Sequence, residues 1–511
     1  MKLFSILRNP LVSTLGVSLV VFGWRPFRLG FYSDDYTLFV TPLALGVPPP
    51  EIAQRLLSLF VNRPLTGLWT VLSVSLCQGD PFAWHLMLSM QAIAAALAVT
   101  LLVKKINVLI GFSDPITETM LGWLWPLLPF TYGFLAWPTY SSAGICFLSF
   151  IAAMLILLST VSFRVPMALL AFGVSLFTLE HFYFQLFPLL GLVLWKRRVL
   201  GYKRSELGWL AFGLLAIQIG ALSFNRLIQK GITKTLDPEF IFTRIKSSLM
   251  HPEYWHHIAI PLSVATGMIV IIWNLIRRWQ AAQKVSPGAG LMLIALAGSF
   301  FSAGLCLAAG YSIRPFGLGS RTSMVFSLWL VVFLLGLCLQ FNSLSHQRLL
   351  LGALIGLLLP VNIWQGKQWA GSWEKQKKVL ADVPVASFSQ LPSGACVVGL
   401  VPNYQGDVLV FDEDWTLGPA IISAHPALKN KNLRFIPHKN SGFSKADLTF
   451  SDGKISRVSK LSGHKLGDIQ AKDLYLWNSY SGNLFRVASP WHLPVNQDPF
   501  QVGETNLLRI L

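Results

Sequence analysis

Two adjacent carboxylates, Asp34 and Asp35, follow the first long apolar segment, in the stretch Phe31-Tyr32-Ser33-Asp34-Asp35-Tyr36. Acids are scarce in this chain, with 23 Asp plus Glu against 41 Lys plus Arg. Two carboxylates at the mouth of a membrane helix press on each other, and both want water, so each costs free energy there. Such a pair can take a proton from a hydroxyl, one acid acting as base and the other orienting it, or it can hold a divalent cation. The plain alternative is a solvated pair that caps the following turn. A second acid, Glu180, stands beside His181 at the end of another apolar segment. It would hold a substrate hydroxyl or simply meet interfacial water. Arg314 and Arg321 lie in a third stretch, Gly310-Tyr311-Ser312-Ile313-Arg314-Pro315-Phe316-Gly317-Leu318-Gly319-Ser320-Arg321. A guanidinium fork suits a phosphate, and backbone N–H groups at Gly317 and Gly319 could approach the same anion. Snorkelling to the interface is the alternative for both. Arg63 is a further phosphate candidate, or a charge at a helix start.

The elements that must position these residues are membrane helices. Of 511 residues, 53% are hydrophobic and 13% charged, against about 25% charged in soluble proteins. About eleven segments are long and apolar enough to span a bilayer, near 10–29, 81–103, 117–134, 138–161, 165–180, 182–195, 206–224, 257–276, 289–309, 322–341 and 348–365. The first is read as an uncleaved span, because no small-x-small cleavage site follows it. Basic residues fall on alternate loops: Lys2 and Arg8; Lys104 and Lys105; Arg164; Lys196, Arg197 and Arg198; Arg277 and Arg278; Arg348. The positive-inside rule puts these loops and the N-terminus in the cytoplasm and the C-terminus outside. The net charge of +18 is therefore read as a membrane signature, with lipid head groups as partners and no nucleic acid.

The 30–80 loop is expected to carry two interfacial helices. One runs from Glu51 to Asn62, with Ile52, Leu56, Leu57, Leu59 and Phe60 on one side after Pro48-Pro49-Pro50. The other begins at Arg63-Pro64 and ends near Gly79-Asp80-Pro81. The tail after about residue 366 changes character. Trp364, Trp369 and Trp373 suit an aromatic belt. Strand-like runs follow at 395–401, 407–411, 433–437, 448–458 and 473–487, with turn signals at Ser451-Asp452-Gly453-Lys454 and Ser481-Gly482-Asn483. The expectation is a transmembrane domain over 1–366 and a small, mostly β, extracytoplasmic domain over 367–511.

Two patterns imitate other chemistry. Asp412-Glu413-Asp414 looks like a metal-binding DxD, but the chain before it has no alternating strand–helix pattern or phosphate loop, so it reads as an acidic turn. His251, His256 and His257 flank Pro252 and Trp255 without a helix to align them, so they read as interfacial histidines. The five cysteines, at 77, 146, 306, 338 and 396, show no metal spacing and predict neither a zinc site nor a disulfide framework.

The order Asp34-Asp35-Tyr36, then Asn62-Arg63-Pro64-Leu65, then Gly79-Asp80-Pro81-Phe82-Ala83-Trp84-His85-Leu86 resembles the polytopic glycosyltransferases of the GT-C fold. Protein O-mannosyltransferases and their bacterial relatives are the nearest analogues. The resemblance covers roughly residues 1–200, and the span pattern agrees over about 365. Two positions depart from it: Leu88-Ser89-Met90 stands where an Asn is expected, and Leu179-Glu180-His181 where Lys-Glu is common. The resemblance implies an all-α polytopic fold and sugar transfer, with inversion, from a polyprenyl-phosphate carrier to an extracytoplasmic hydroxyl of a glycan, lipid or protein. It implies Asp34 as base with Asp35 beside it, and the donor phosphate on Arg321 with Arg314 and Arg63. Glu180, His181 and Tyr36 would then touch substrate. No nucleotide or cofactor is needed for that reaction; a divalent metal at Asp34 and Asp35 is the other use of the pair. The location implied is a bacterial inner or plasma membrane. The competing class is a flippase or transporter of lipid-linked glycans, but its ionisable residues usually sit near span centres within repeated halves. An assembly protein that uses the outer domain as a binding surface leaves the acid pair unexplained.

Overall fold

A computed structural model of the chain describes residues 9–112, 114–228, 286–308, 320, 323–411, 414–437, 446–459, 465–470, 473–487, 491–493 and 507–509. Most of these are helical. The main helices are α1 (Pro10–Phe22), α2 (Pro49–Leu59), α3 (Pro64–Cys77), α4 (Pro81–Ile110), α5 (Pro115–Leu127), α6 (Ser142–Leu157), α7 (Arg164–Thr178), α8 (Leu186–Lys196), α9 (Arg204–Ile228), α10 (Pro287–Ala308), α11 (Met324–Cys338), α12 (Leu344–Ala381) and α13 (Asp414–Ala424). Proline opens several of them, because it has no N–H to leave unsatisfied in the first turn. Asn9 caps α1 by accepting from Leu11 N–H at 3.1 Å. Asp114 caps α5 by accepting from Thr117 N–H, also at 3.1 Å.

Six stretches among the described residues are long and apolar enough to cross a membrane: 10–27, 81–110, 138–157, 204–224, 287–305 and 344–381. This is the architecture of a membrane protein. The expected count of eleven is not confirmed: α5, α7, α8 and α11 are shorter, and the segment at 257–276 lies outside the described residues. Large apolar side chains such as Val20, Leu170, Phe212 and Leu357 stand exposed on these helices, as lipid-facing surfaces require.

The chain divides into two compact units. The first comprises residues 1–27, 56–73 and 82–366. In it α1 packs on α5, α6 on α7, α7 on α9 and α10 on α11. Its core is aromatic, with Trp125 stacked on Phe147 at 5.2 Å and Phe150 meeting Phe182 at 4.6 Å. Hydrogen bonds between helices add polar glue. Trp329 Nε1 donates to Gln185 Oε1 at 2.8 Å, and Gln185 Nε2 donates to Gly298 O at 3.1 Å. Arg25 is wholly buried, with its guanidinium 4.4 Å from the Phe22 ring and 4.2 Å from the Tyr132 ring, and it donates to Leu135 O.

The second unit comprises residues 28–55, 74–81 and 367–511. Besides a two-residue pairing of Tyr404–Gln405 with Val408–Leu409, its main strands are β1 (Cys396–Leu400), β2 (Arg434–Pro437), β3 (Ala446–Ser451), β4 (Lys454–Ser459), β5 (Lys465–Gln470), β6 (Leu474–Asn478), β7 (Leu484–Val487), β8 (Trp491–Leu493) and β9 (Leu507–Arg509). They form a five-stranded sheet in the order β9-β7-β6-β1-β2 and a four-stranded sheet in the order β8-β3-β4-β5. The β3–β4 hairpin turns at Asp452-Gly453, with Ser451 opposite Lys454. The central strand β1 runs parallel to both β2 and β6, with Cys396 aligned to Arg434 and Leu474. Parallel neighbours need a crossover, and α13 lies in the one between β1 and β2. The tail is thus a mixed α/β sheet region where sequence suggested mostly β, and the acidic run at 412–414 leads into a helix. Cys396, Val398, Ile436, Leu474 and Leu476 are in its apolar core.

Candidate functional site

In the second unit the loop after α1 is built around aromatic packing. Phe31 and Tyr32 are buried, and Tyr32 meets the Trp369 ring edge-on at 4.8 Å. Phe31 does the same to Trp373 at 6.4 Å. A side chain at Gly30 would overlap the Trp373 indole, since a Cβ there would come within 2.0 Å of it. Trp369 and Trp373 therefore serve this unit's interior, Trp369 being wholly buried, where sequence suggested a membrane belt. The Tyr32 hydroxyl donates to Trp369 O at 3.0 Å.

Ser33 then takes φ 47°, a left-handed conformation unusual outside glycine. Asp34 and Asp35 open a helical segment that widens into a π-type turn over Tyr36–Val40. Such turns recur at functional positions. Helical spacing points the two carboxylates in different directions and divides their environments. Asp35 is wholly buried, and its Oδ2 accepts the Tyr32 N–H at 2.7 Å. Asp34 is partly exposed, and its Oδ1 accepts from Trp415 Nε1 at 3.2 Å. Thr37 also donates to Trp415 O, and Thr41 donates to Pro419 O at 2.7 Å. So α13 is seated on the turn that carries the acids. Tyr36 is buried and donates to Gln376 Oε1 at 2.7 Å. Burial, with the Asp35 and Tyr32 charges, pushes its phenol far above the usual range, so it stays a neutral donor.

In the first unit a polar cluster gathers at the start of α6 and the end of α7. Arg63 forms an ion pair with Glu180. Burial alone would push the Glu180 carboxyl up, but the Arg63 guanidinium and His181 outweigh it and hold it below the usual carboxylate range. Thr66, one turn beyond Arg63, donates to Thr178 O at 2.6 Å and lies 3.2 Å from Ser142 Oγ. The Tyr140 hydroxyl is 3.3 Å from His181 Nε2, and the Tyr140 ring stacks on Trp137. Phe184, just past His181, sits at φ 66°, a genuine outlier for a bulky residue.

The structure thus sorts the candidates into groups. Asp34, Asp35 and Tyr36 share one turn of the second unit; Arg63, Glu180 and His181 share one cluster of the first. Arg314 and Arg321 lie outside the described residues, as do His251, His256, His257, Asp412 and Glu413. Sequence reasoning missed Trp415, Gln376, Thr66 and Tyr140, whose roles depend on contacts between distant segments. No group of three or more His, Cys, Asp or Glu side chains that could hold a metal occurs among the described residues. Cys77, Cys146, Cys338 and Cys396 are buried and are not joined in disulfides among the described residues. The chain matches no protein-family model and no curated protein.

Proposed function

We propose that this protein is a membrane glycosyltransferase that moves a sugar from a polyprenyl-phosphate carrier to an acceptor hydroxyl on the extracytoplasmic side. The reading rests on the divided acid pair: a buried Asp35 that fixes its turn by accepting the Tyr32 N–H, and a partly exposed Asp34 whose Oδ1 accepts from Trp415 Nε1. Asp34 takes the proton from the acceptor hydroxyl. The freed oxygen attacks the anomeric carbon from the face opposite the carrier, and the bond from that carbon to the phosphate oxygen breaks. The sugar inverts, and the carrier leaves as lipid phosphate. Arg321 and Arg314 neutralise the charge that develops on the departing phosphate, which favours the transition state. Glu180, held ionised beside Arg63, accepts from sugar hydroxyls. The topology that goes with this reaction has eleven spans, an inside N-terminus and an outside C-terminus.

The test is Asp34→Asn in proteoliposomes supplied with radiolabelled polyprenyl-phosphate mannose, glucose or arabinose and a glycan or peptide acceptor pool. Transfer falls by roughly 10²–10⁴-fold, while binding of the carrier persists. Retained transfer removes Asp34 as base. Movement of carrier across the bilayer without transfer supports the flippase instead.

A further inference from the structure

The first turn of α6 carries unmet hydrogen-bonding capacity. Gln91 projects from α4 and is only 7% exposed. Neither its amide nitrogen nor its oxygen has a hydrogen-bond partner among the described residues. The amide lies directly on Gly144, where a Cβ would come within 2.2 Å of Gln91 Oε1. Glycine at 144 therefore opens the helix start to this amide. Ser141, the residue before α6, is fully buried; its hydroxyl does not cap the helix and has no partner among the described residues. Glu180 Oε2 is a further buried atom in the same condition. Thr66 ties these together, joining Ser142 to the Thr178 carbonyl beside Glu180.

A buried polar group without a partner is unfavourable, and a membrane bundle offers little water to relieve it. For packing alone, an apolar residue at 91 would serve better. The unmet groups have both signs. The amide offers two N–H groups and an acceptor, the carboxylate oxygen accepts, and the serine hydroxyl does both. A phosphate has only acceptors at its oxygens. It would suit the helix start and Gln91 Nε2 but would confront Gln91 Oε1 and Glu180 Oε2 with no proton. A sugar ring carries hydroxyls that donate and accept together, so it satisfies all of them. The Arg63 and Glu180 charges cancel, which also favours a neutral ligand. The stacked Trp137 and Tyr140 rings beside Ser141 add an apolar plate.

We infer that Gln91, Ser141 and Glu180 Oε2 form a subsite for the hydroxyl groups of the lipid-linked sugar, separate from whatever holds its phosphate. This inference rests on the glycosyltransferase reading and says which part of the donor the cluster recognises.

The experiment measures binding of bare polyprenyl phosphate and of polyprenyl-phosphate mannose, glucose and arabinose to the full-length protein in detergent. Thermal unfolding without lipid is recorded in parallel. The wild-type protein prefers at least one sugar-bearing lipid over the bare one. Gln91→Met and Gln91→Leu bind the bare lipid unchanged and lose that preference, by about tenfold, while unfolding at the same or a higher temperature. Ser141→Ala loses part of it. A preference that survives in both Gln91 variants overturns the subsite, as does a fall in their unfolding temperature, which would make Gln91 a structural residue. Wild-type protein that binds the bare lipid with no sugar preference also overturns it and leaves the carrier assignment standing. Wild-type protein that binds none of these lipids removes the glycosyltransferase reading itself.

Discussion

Asp34 and Asp35 are chemically identical and one peptide bond apart, yet their surroundings assign them different work. Asp35 satisfies a buried backbone N–H, so Asp35→Ala strands that donor and should destabilise the protein by about 1–3 kcal/mol. Asp34→Asn should change stability far less, since Asp34 is partly exposed. Chemical or thermal denaturation of the two variants side by side checks the contrast. Glu180 makes a pH prediction. Its folded pKa is depressed despite burial, so its contribution to stability is present above the ordinary carboxylate value, about 4.3. It is lost as pH falls through the lowered folded value. Glu180→Gln should therefore unfold with a weaker acid dependence than wild type below about pH 4, although its neutral amide leaves Arg63 without a counter-charge at neutral pH. Melting curves across that range would show whether the acid dependence converges. The types of these residues are plain in the sequence. Which acid is buried is not, because the flanking Tyr32 and Tyr36 are tied to Trp369 and Gln376, more than 300 residues away.

At the scale of elements, α13 joins two parts of the chain that look unrelated in sequence. It crosses between β1 and β2, and it also bonds to the turn over residues 34–41 through Trp415 and Pro419. Deleting residues 381–511 should therefore loosen that turn, not merely remove an appendage. Hydrogen exchange at residues 32–44 is expected to rise in the truncated protein; unchanged protection would show the turn to be self-supporting. The helix was hard to foresee because it is short, holds Pro419 inside and follows an acidic run that resembles a loop. The β3–β4 hairpin was legible for the opposite reason: Asp452-Gly453 is a local turn signal, and local signals need no distant partner.

At the scale of the whole molecule, loop charge sets orientation. The orientation we propose puts Lys104, Lys105, Arg197 and Arg198 on the cytoplasmic side and the β region outside. Arg198→Cys should react with a membrane-impermeant thiol reagent only after the membrane is opened. Ser481→Cys should react from outside in intact cells. The reverse pattern would invert the topology and move the proposed chemistry to the cytoplasmic face. The two compact units are discontinuous in sequence: residues 28–55 and 74–81 belong with the tail. A tail expressed alone thus lacks the segment that contributes Phe31, Tyr32 and Tyr36 to its packing.

The sequence by itself determined the membrane class, the two helices that precede α4 and the hairpin turns. Each of these follows from composition or from neighbours a few residues apart, where apolar runs, prolines and turn residues act locally. Only the tertiary structure decided which of two adjacent acids is buried, that Arg63 pairs with Glu180, that Trp369 lies in a core, and that Gln91 lies unsatisfied against a helix start. Those outcomes depend on burial and hydrogen bonding between segments far apart in the chain, and no local pattern encodes the distance between two such segments.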